Sequence, residues 1–153
     1  MTSPPQFILT PASWRDLFPL HNLERACFED DSWPLIELLA VLTFPGMVRL
    51  KAVVTQKMVG FIAGERRHDE QTGWILTLGV FPAYRRLGIA AALLDRCEQE
   101  LRMPKIKLSV RRSNLAAIDL YNKNGYTQIG VWSNYYHNGE DGLVLEKKLK
   151  ISE

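Results

Sequence analysis

The chain has 153 residues, 46% of them hydrophobic and 24% charged, and a formal net charge of +2. That length predicts one domain over residues 1–153 with a substantial core, and the composition is that of an ordinary soluble globular protein. There is no apolar run near the roughly 20 residues that span a bilayer, no basic-then-apolar leader, and too little net charge to argue for nucleic acid, so a cytoplasmic protein with neither membrane nor nucleic-acid partner is expected.

From the start, Gln6–Thr10 reads as a short strand ending at Pro11. Ser13-x-x-Asp16 has the form of a capping box, because the serine can accept from an orphan N–H at a helix start. Leu17, Leu20, Leu23 and Cys27 then make a helical stripe, with Pro19 tolerable only near the helix start or at a kink. Phe28–Pro34 is an acidic, aromatic loop, and a second helix runs from Pro34 to about Thr43. Val48, Leu50, Ala52 and Val54 alternate with other residues as in a strand, and Met58–Arg66 forms the second arm of a hairpin. His68–Gly73 is polar and loop-like. Arg66-Arg67 and Arg111-Arg112 read as solvated strand ends.

An apolar run from Trp74 to Phe81 predicts a buried strand, closed by Pro82 and Ala83. A basic turn, Tyr84-Arg85-Arg86-Leu87-Gly88-Ile89-Ala90, leads into a helix whose apolar positions are Ile89, Leu93, Cys97 and Leu101. Pro104 ends that region. Ile106, Leu108 and Val110 alternate with Ser109, which puts the serine on the opposite face. Ser113 or Asn114 caps a further helix that ends at Gly125, and Tyr126–Asn134 and Leu143–Leu149 are the last two strands. The order β-α-α-β-β-β-α-β-α-β-β implies an α/β sandwich around one mixed, mostly antiparallel sheet. Cys27 and Cys97 fall on apolar stripes and read as buried free thiols, and neither they nor His21, His68 and His137 have metal-ligand spacing, so no metal is expected.

A strand feeding a helix through such a turn presents the helix's first N–H groups and the positive end of its dipole to an anion, with Gly88 allowing close approach and Arg85 and Arg86 supplying charge. Arg85-x-x-Gly88-x-Ala90 resembles the R/Q-x-x-G-x-G/A turn of the GNAT superfamily of acetyl-CoA-dependent N-acetyltransferases. Leu108-Ser109-Val110 through Asn114, Ala117, Tyr121 and Gly125-Tyr126 resembles the family pattern L-x-V-x-x-x-N-x-x-A-x-x-x-Y-x-x-x-G-F/Y. Asn134-Tyr135-Tyr136 followed by Glu140-Asp141-Gly142-Leu143-Val144 looks like the N-Y-Y…E-D-A-x-V segment of the ribosomal-protein (RimI-type) and eukaryotic N-terminal acetyltransferases. The resemblance runs from about Phe7 to Leu149 and is specific from Thr77 onward.

The resemblance implies a GNAT-like three-layer fold with helices on both faces of a twisted sheet, and acetyl-CoA as co-substrate. It implies that the backbone of Arg85, Arg86, Leu87, Gly88, Ile89 and Ala90 holds the pyrophosphate, that an N–H of Leu78, Gly79 or Val80 meets the acyl carbonyl, and that Asn114 contacts the pantetheine arm. Gly79 marks a bulge, a close approach by the coenzyme, or a plain strand glycine. Tyr121 matches the tyrosine that protonates the departing thiolate, a role its ordinary pKa near 10 permits. The base is where the chain departs from the pattern. The position of Ser109 is glutamate in the bacterial ribosomal-protein enzymes and histidine in a eukaryotic branch, and a serine hydroxyl is a poor base. Ser109 and Tyr84 holding a water that relays the proton is one reading; Tyr84 as ordinary filler of the turn, or His137 as the base, are others. Phe28, Tyr135 and Tyr136 frame a slot for the acceptor or simply pack the sheet. Glu29, Asp30 and Asp31 read as a solvated loop. The acceptor is expected to be a protein or peptide N-terminal α-amine, with a small amine, or coenzyme binding without turnover, as alternatives; the chain is expected to act as a monomer or homodimer.

Overall fold

The computed structural model describes residues 6–150. Its strands and long helices follow the predicted order: β1 (Ile8–Pro11), α1 (Leu17–Phe28), α2 (Leu35–Thr43), β2 (Met47–Val54), β3 (Lys57–Arg67), β4 (Thr72–Val80), α3 (Ile89–Leu101), β5 (Lys105–Arg111), α4 (Leu115–Lys123), β6 (Thr127–Trp132) and β7 (Gly142–Lys148). The strands form one seven-stranded sheet in the order β1-β2-β3-β4-β5-β7-β6, with β4 and β5 parallel and the other described pairings antiparallel. Among the described residues, no helix is long and apolar enough to cross a membrane.

The backbone divides into two compact units. The first comprises residues up to Glu65 with Leu76–Leu101, the second Arg66–Ile75 with the residues from Arg102 onward. In the first unit, period-2 alternation along β2 buries Val48, Leu50, Ala52 and Val54. β3 is buried on both faces, so its side chains sort the helices. Phe61 and Ala63 pack with Leu20, Leu23, Leu38, Val41 and Leu42 of α1 and α2. Gly60 and Gly64 face the other way, where an added Cβ would come within 3.1 Å of Leu93 and 3.0 Å of both Cys97 and Leu101 on α3. Ile89, Leu93, Cys97 and Leu101 are buried, as their four-residue spacing requires. Helices therefore cover both faces of this part of the sheet.

In the second unit, β5 buries Ile106, Leu108 and Val110 and turns Ser109 to the half-buried face. β5 pairs with β7 from Lys105↔Lys148 to Arg111↔Gly142, and β7 pairs with β6. The side chain of Asn114 caps α4 by accepting from the Ala117 N–H at 3.2 Å. Gly125 follows that helix with φ +93°, a left-handed conformation that glycine adopts without strain.

Several details differ from the sequence expectation. The Ser13–Asp16 capping box is present, but it closes a 3₁₀ turn at Trp14–Asp16, and α1 starts only at Leu17, which leaves Pro19 in the first turn where it costs no hydrogen bond. β4 begins at Thr72 rather than Trp74, because Thr72–Trp74 pairs with Lys105–Lys107 and that ladder outweighs the polar composition. β6 stops at Trp132, so Tyr135 and Tyr136 lie in the following loop rather than at the end of a strand. Cys97 is buried, whereas Cys27 is only half-buried at the end of α1.

Candidate active site

In the first unit, β4 turns Thr77 and Gly79 toward α1. Thr77 Oγ1 donates to Glu24 Oε1 at 3.0 Å, and a Cβ on Gly79 would lie 3.2 Å from Cys27 Sγ and 3.3 Å from the Phe28 ring. Gly79 lets α1 approach the strand closely and brings Phe28 onto it. The Cys27 thiol donates to the Val80 carbonyl at 3.4 Å, and burial pushes its pKa up, against the pull of Arg85.

The turn after β4 has two levels of order. Arg85 Nε also donates to the Val80 carbonyl, at 3.0 Å, so this arginine ties the turn to the strand end. The ring of Tyr84 lies under Lys57 Nζ (5.8 Å), which also sits 5.2 Å over Phe81. Arg86 and Gly88 have φ of +65° and +83°, left-handed backbone of the kind that recurs in anion-binding turns. A Cβ on Gly88 would meet nothing within 4 Å, so the face is open, and Arg86 is exposed beside it. The first i→i−4 bond of α3 runs from Ala92 N to Gly88 O, and the amides before it are the helix's orphan donors. Ile89 spends its side chain on the core and has only its N–H to offer. An open glycine, exposed positive charge and orphan N–H groups at a 13-residue helix fit a diphosphate.

In the second unit, Tyr121 near the end of α4 is 8% exposed and edge-on to Tyr126, with ring centroids 5.6 Å apart. Burial, and secondarily the neighbouring Tyr136, raise its pKa well above the ordinary phenol value. Tyr136 also faces Ser109: the two hydroxyl oxygens are 3.5 Å apart. Tyr136 thus faces Ser109 and acts electrostatically on Tyr121. Ser109 has the Tyr136 hydroxyl as its neighbour in the second unit, and Tyr84 lies under Lys57 in the first. His137 is exposed.

Sequence reasoning missed how the loop between β6 and β7 is held. Arg111, expected to be solvated, is half-buried: its Nη1 donates to Asn138 Oδ1 and Glu140 Oε1, both at 2.8 Å, and its guanidinium lies 4.4 Å over the Tyr136 ring. Glu140 Oε2 accepts from the Ser113 N–H at 2.7 Å, and the Ser113 and Arg111 bonds hold its carboxyl below the usual range. Asp141 accepts from the Asn134 N–H at 3.0 Å and pairs with Arg112 at 3.4 Å. A row of rings, Trp74–Trp132–Tyr135–Tyr136, continues from this clasp with centroid spacings of 5.8, 4.8 and 5.0 Å. The acidic pair Glu140-Asp141, each 29 residues beyond its arginine, was the available signal, but charge patterning alone does not give the register that joins them. Glu24, on the buried stripe of α1, was also missed. Among the described residues, no group of three or more His, Cys, Asp or Glu is placed to hold a metal ion.

A turn that fits a diphosphate at the head of a helix, on a mixed sheet with helices on both faces, is compatible with an acyl-coenzyme transferase, and the chain belongs to the Acetyltransferase (GNAT) family, whose profile matches residues 14–126. It is 30% identical over 142 residues to the N-terminal acetyltransferase A complex catalytic subunit NAA10 of Arabidopsis thaliana, covering 88% of this chain and 74% of that protein. It is 41% identical over 92 residues to N-alpha-acetyltransferase 50 of Danio rerio, covering 56% and 55%. The fold superposes on the ribosomal-protein-S18-alanine N-acetyltransferase of Escherichia coli with a TM-score of 0.87, at 22% identity and 97% coverage of both chains. It also superposes on NAA60 of Arabidopsis thaliana, crystallised with a bisubstrate analogue, with a TM-score of 0.84 at 20% identity, covering 96% of this chain and 100% of that one.

Proposed function

We propose that the protein transfers the acetyl group of acetyl-CoA to the α-amine of a protein or peptide N-terminus. The observation that carries the reading is the turn into α3: Gly88 at φ +83°, with open space beside it, heads a helix whose first amides are free for a diphosphate. The N-terminal acetyltransferases among its relatives carry it from acetyl transfer in general to this acceptor.

Acetyl-CoA supplies an activated thioester. Residues 86–90 bind its diphosphate through backbone N–H groups, and Arg86 adds charge. The β4 segment Leu78–Val80 offers an N–H to the acyl oxygen, where negative charge develops during attack. In the second unit Tyr121 keeps its proton at neutral pH and donates it to the departing thiolate, and Asn114 stands at the head of the same helix for the pantetheine arm. Phe28 in the first unit, and Tyr135 and Tyr136 in the second, offer aromatic surface to the peptide's first residues. Ser109 and Tyr136 lend hydroxyls to the hydrogen-bonding around the acceptor. On this reading the enzyme acts in the cytoplasm as one functional domain, monomeric or a homodimer.

Calorimetry with acetyl-CoA, followed by thiol release with a panel of N-terminal peptides and small amines, tests this. Binding with turnover on the peptides is expected. Turnover confined to small amines, or binding without thiol release from any acceptor, would overturn it.

A further inference from the structure

The buried face of α1 carries one residue that its periodicity does not call for. Glu24 lies between Leu20, Leu23 and Cys27 and is 2% exposed, on a stripe where an apolar side chain would satisfy the fold. Only one of its oxygens has a partner: Oε1 accepts from Thr77 Oγ1 at 3.0 Å, while Oε2 is buried without one. A buried polar atom left this way is a seat for an ordered water or a working group, since an apolar isostere would cost the fold less.

Its location within the first unit gives the carboxyl a use. Thr77 immediately precedes Leu78–Val80, the strand segment assigned to the acyl oxygen. Phe28, assigned to the acceptor, lies one turn further along α1 and packs against Gly79. The carboxyl therefore sits beside both the acyl-reading strand and the acceptor wall. The ionisable groups around it are few: Cys27 on the same helix, whose thiol its charge pushes up; Arg85, which acts on that thiol; and His21 one turn back, with Nδ1 also buried and unpartnered. Burial raises the Glu24 carboxyl to about 7, against the lowering effect of the Thr77 hydroxyl, and a base working at neutral pH needs a value in that range.

We propose that Glu24 is the proton-holding residue of the acetyl transfer, receiving the proton of the acceptor ammonium through a water on its free oxygen and so doing what Ser109 cannot. This rests on the acetyl-transfer reading above. The protons balance. Of the three on the ammonium, one leaves to Glu24 before attack and passes to solvent after the turn; the second leaves as the N–C bond forms and the C–S bond breaks, and balances the proton that Tyr121 gives to sulfur; the third stays on the amide. Because it acts through a water, Glu24 positions and relays rather than touching the amine.

The test compares the pH dependence of thiol release by the wild type, Glu24→Gln and Thr77→Val on one N-terminal peptide. The wild type is expected to gain turnover as pH rises through about 7. The isosteric Glu24→Gln is expected to lose that limb and roughly 100-fold in kcat while binding acetyl-CoA normally by calorimetry. Thr77→Val keeps the acid but removes the donor that favours its ionised form, so its limb moves to higher pH. The peptide's own amine titrates near about 8 in all three and cancels in the comparison. A Glu24→Gln protein with the wild-type limb and turnover overturns the inference. If that variant does not fold, a Thr77→Val limb at the wild-type position overturns it instead. A wild type that releases no thiol with any amine overturns the acetyl-transfer reading, and this with it.

Discussion

Tyr121 and Glu24 show how burial assigns opposite duties to two acids. Water stabilises a charged form, so removing water raises the pKa of both. For the phenol this locks the proton in place across the working range, which suits a donor to a leaving thiolate. Tyr121→Phe should keep acetyl-CoA affinity within a few-fold and lose roughly 100-fold or more in kcat, measured by thiol release at saturating substrates. For the carboxyl the same displacement brings the pKa near neutrality, which carries a stability consequence with a definite sign. The folded value, about 7, exceeds the ordinary 4.5, so the folded state holds a proton that the unfolded chain has released. The contribution is fully present below about 4.5 and lost as pH rises through about 7, on the order of 3 kcal/mol in total. Denaturant melts at pH 5 and pH 8 should show this loss in the wild type and not in Glu24→Gln.

At the scale of elements, the turn into α3 and the loop between β6 and β7 are built on different principles. The turn depends on backbone conformation. Gly88 has room for a methyl group but sits at φ +83°, so Gly88→Ala should lower thermal stability by only about 1 kcal/mol through strain. The same change tilts the amides, and acetyl-CoA affinity measured by calorimetry should drop by a clearly larger factor than that strain alone gives. The loop depends on charge. Arg111 binds Asn138 and Glu140 while lying over Tyr136, so the ring assigned to the acceptor is fixed by a side chain of β5. Glu140→Gln should raise the peptide KM roughly two- to fivefold, the scale of a partly exposed charge pair, and leave the acetyl-CoA KM alone. Because the Glu140 pKa is lowered, the clasp is intact above the ordinary carboxylate range and weakens as pH falls through the folded value. The peptide KM of the wild type should therefore rise in acid while that of Glu140→Gln does not.

Over the whole molecule, a coenzyme that binds only the folded state must stabilise it. Acetyl-CoA at about 100 times its Kd adds about 2.7 kcal/mol, which for a chain of this length moves the melting temperature by roughly 5–10 °C in a thermal scan. The sequence alone determined the element order, the alternating burial of β2 and β5, the Ile89-Leu93-Cys97-Leu101 stripe and the Asn114 cap. Each of these follows from a repeat or a contact within a few residues, where helix and strand geometry leave little choice. The motif turn and Tyr121 were legible for the same reason, as short strings with fixed spacing. Only the tertiary structure decided that Glu24 meets Thr77 across 53 residues, that Arg111 meets Glu140 across 29, and that Ser109 faces Tyr136 across 27. It likewise brought Cys27 and Phe28 up against Gly79. Such partners are set by how strands register and how α1 seats on β4, and local periodicity carries no record of either.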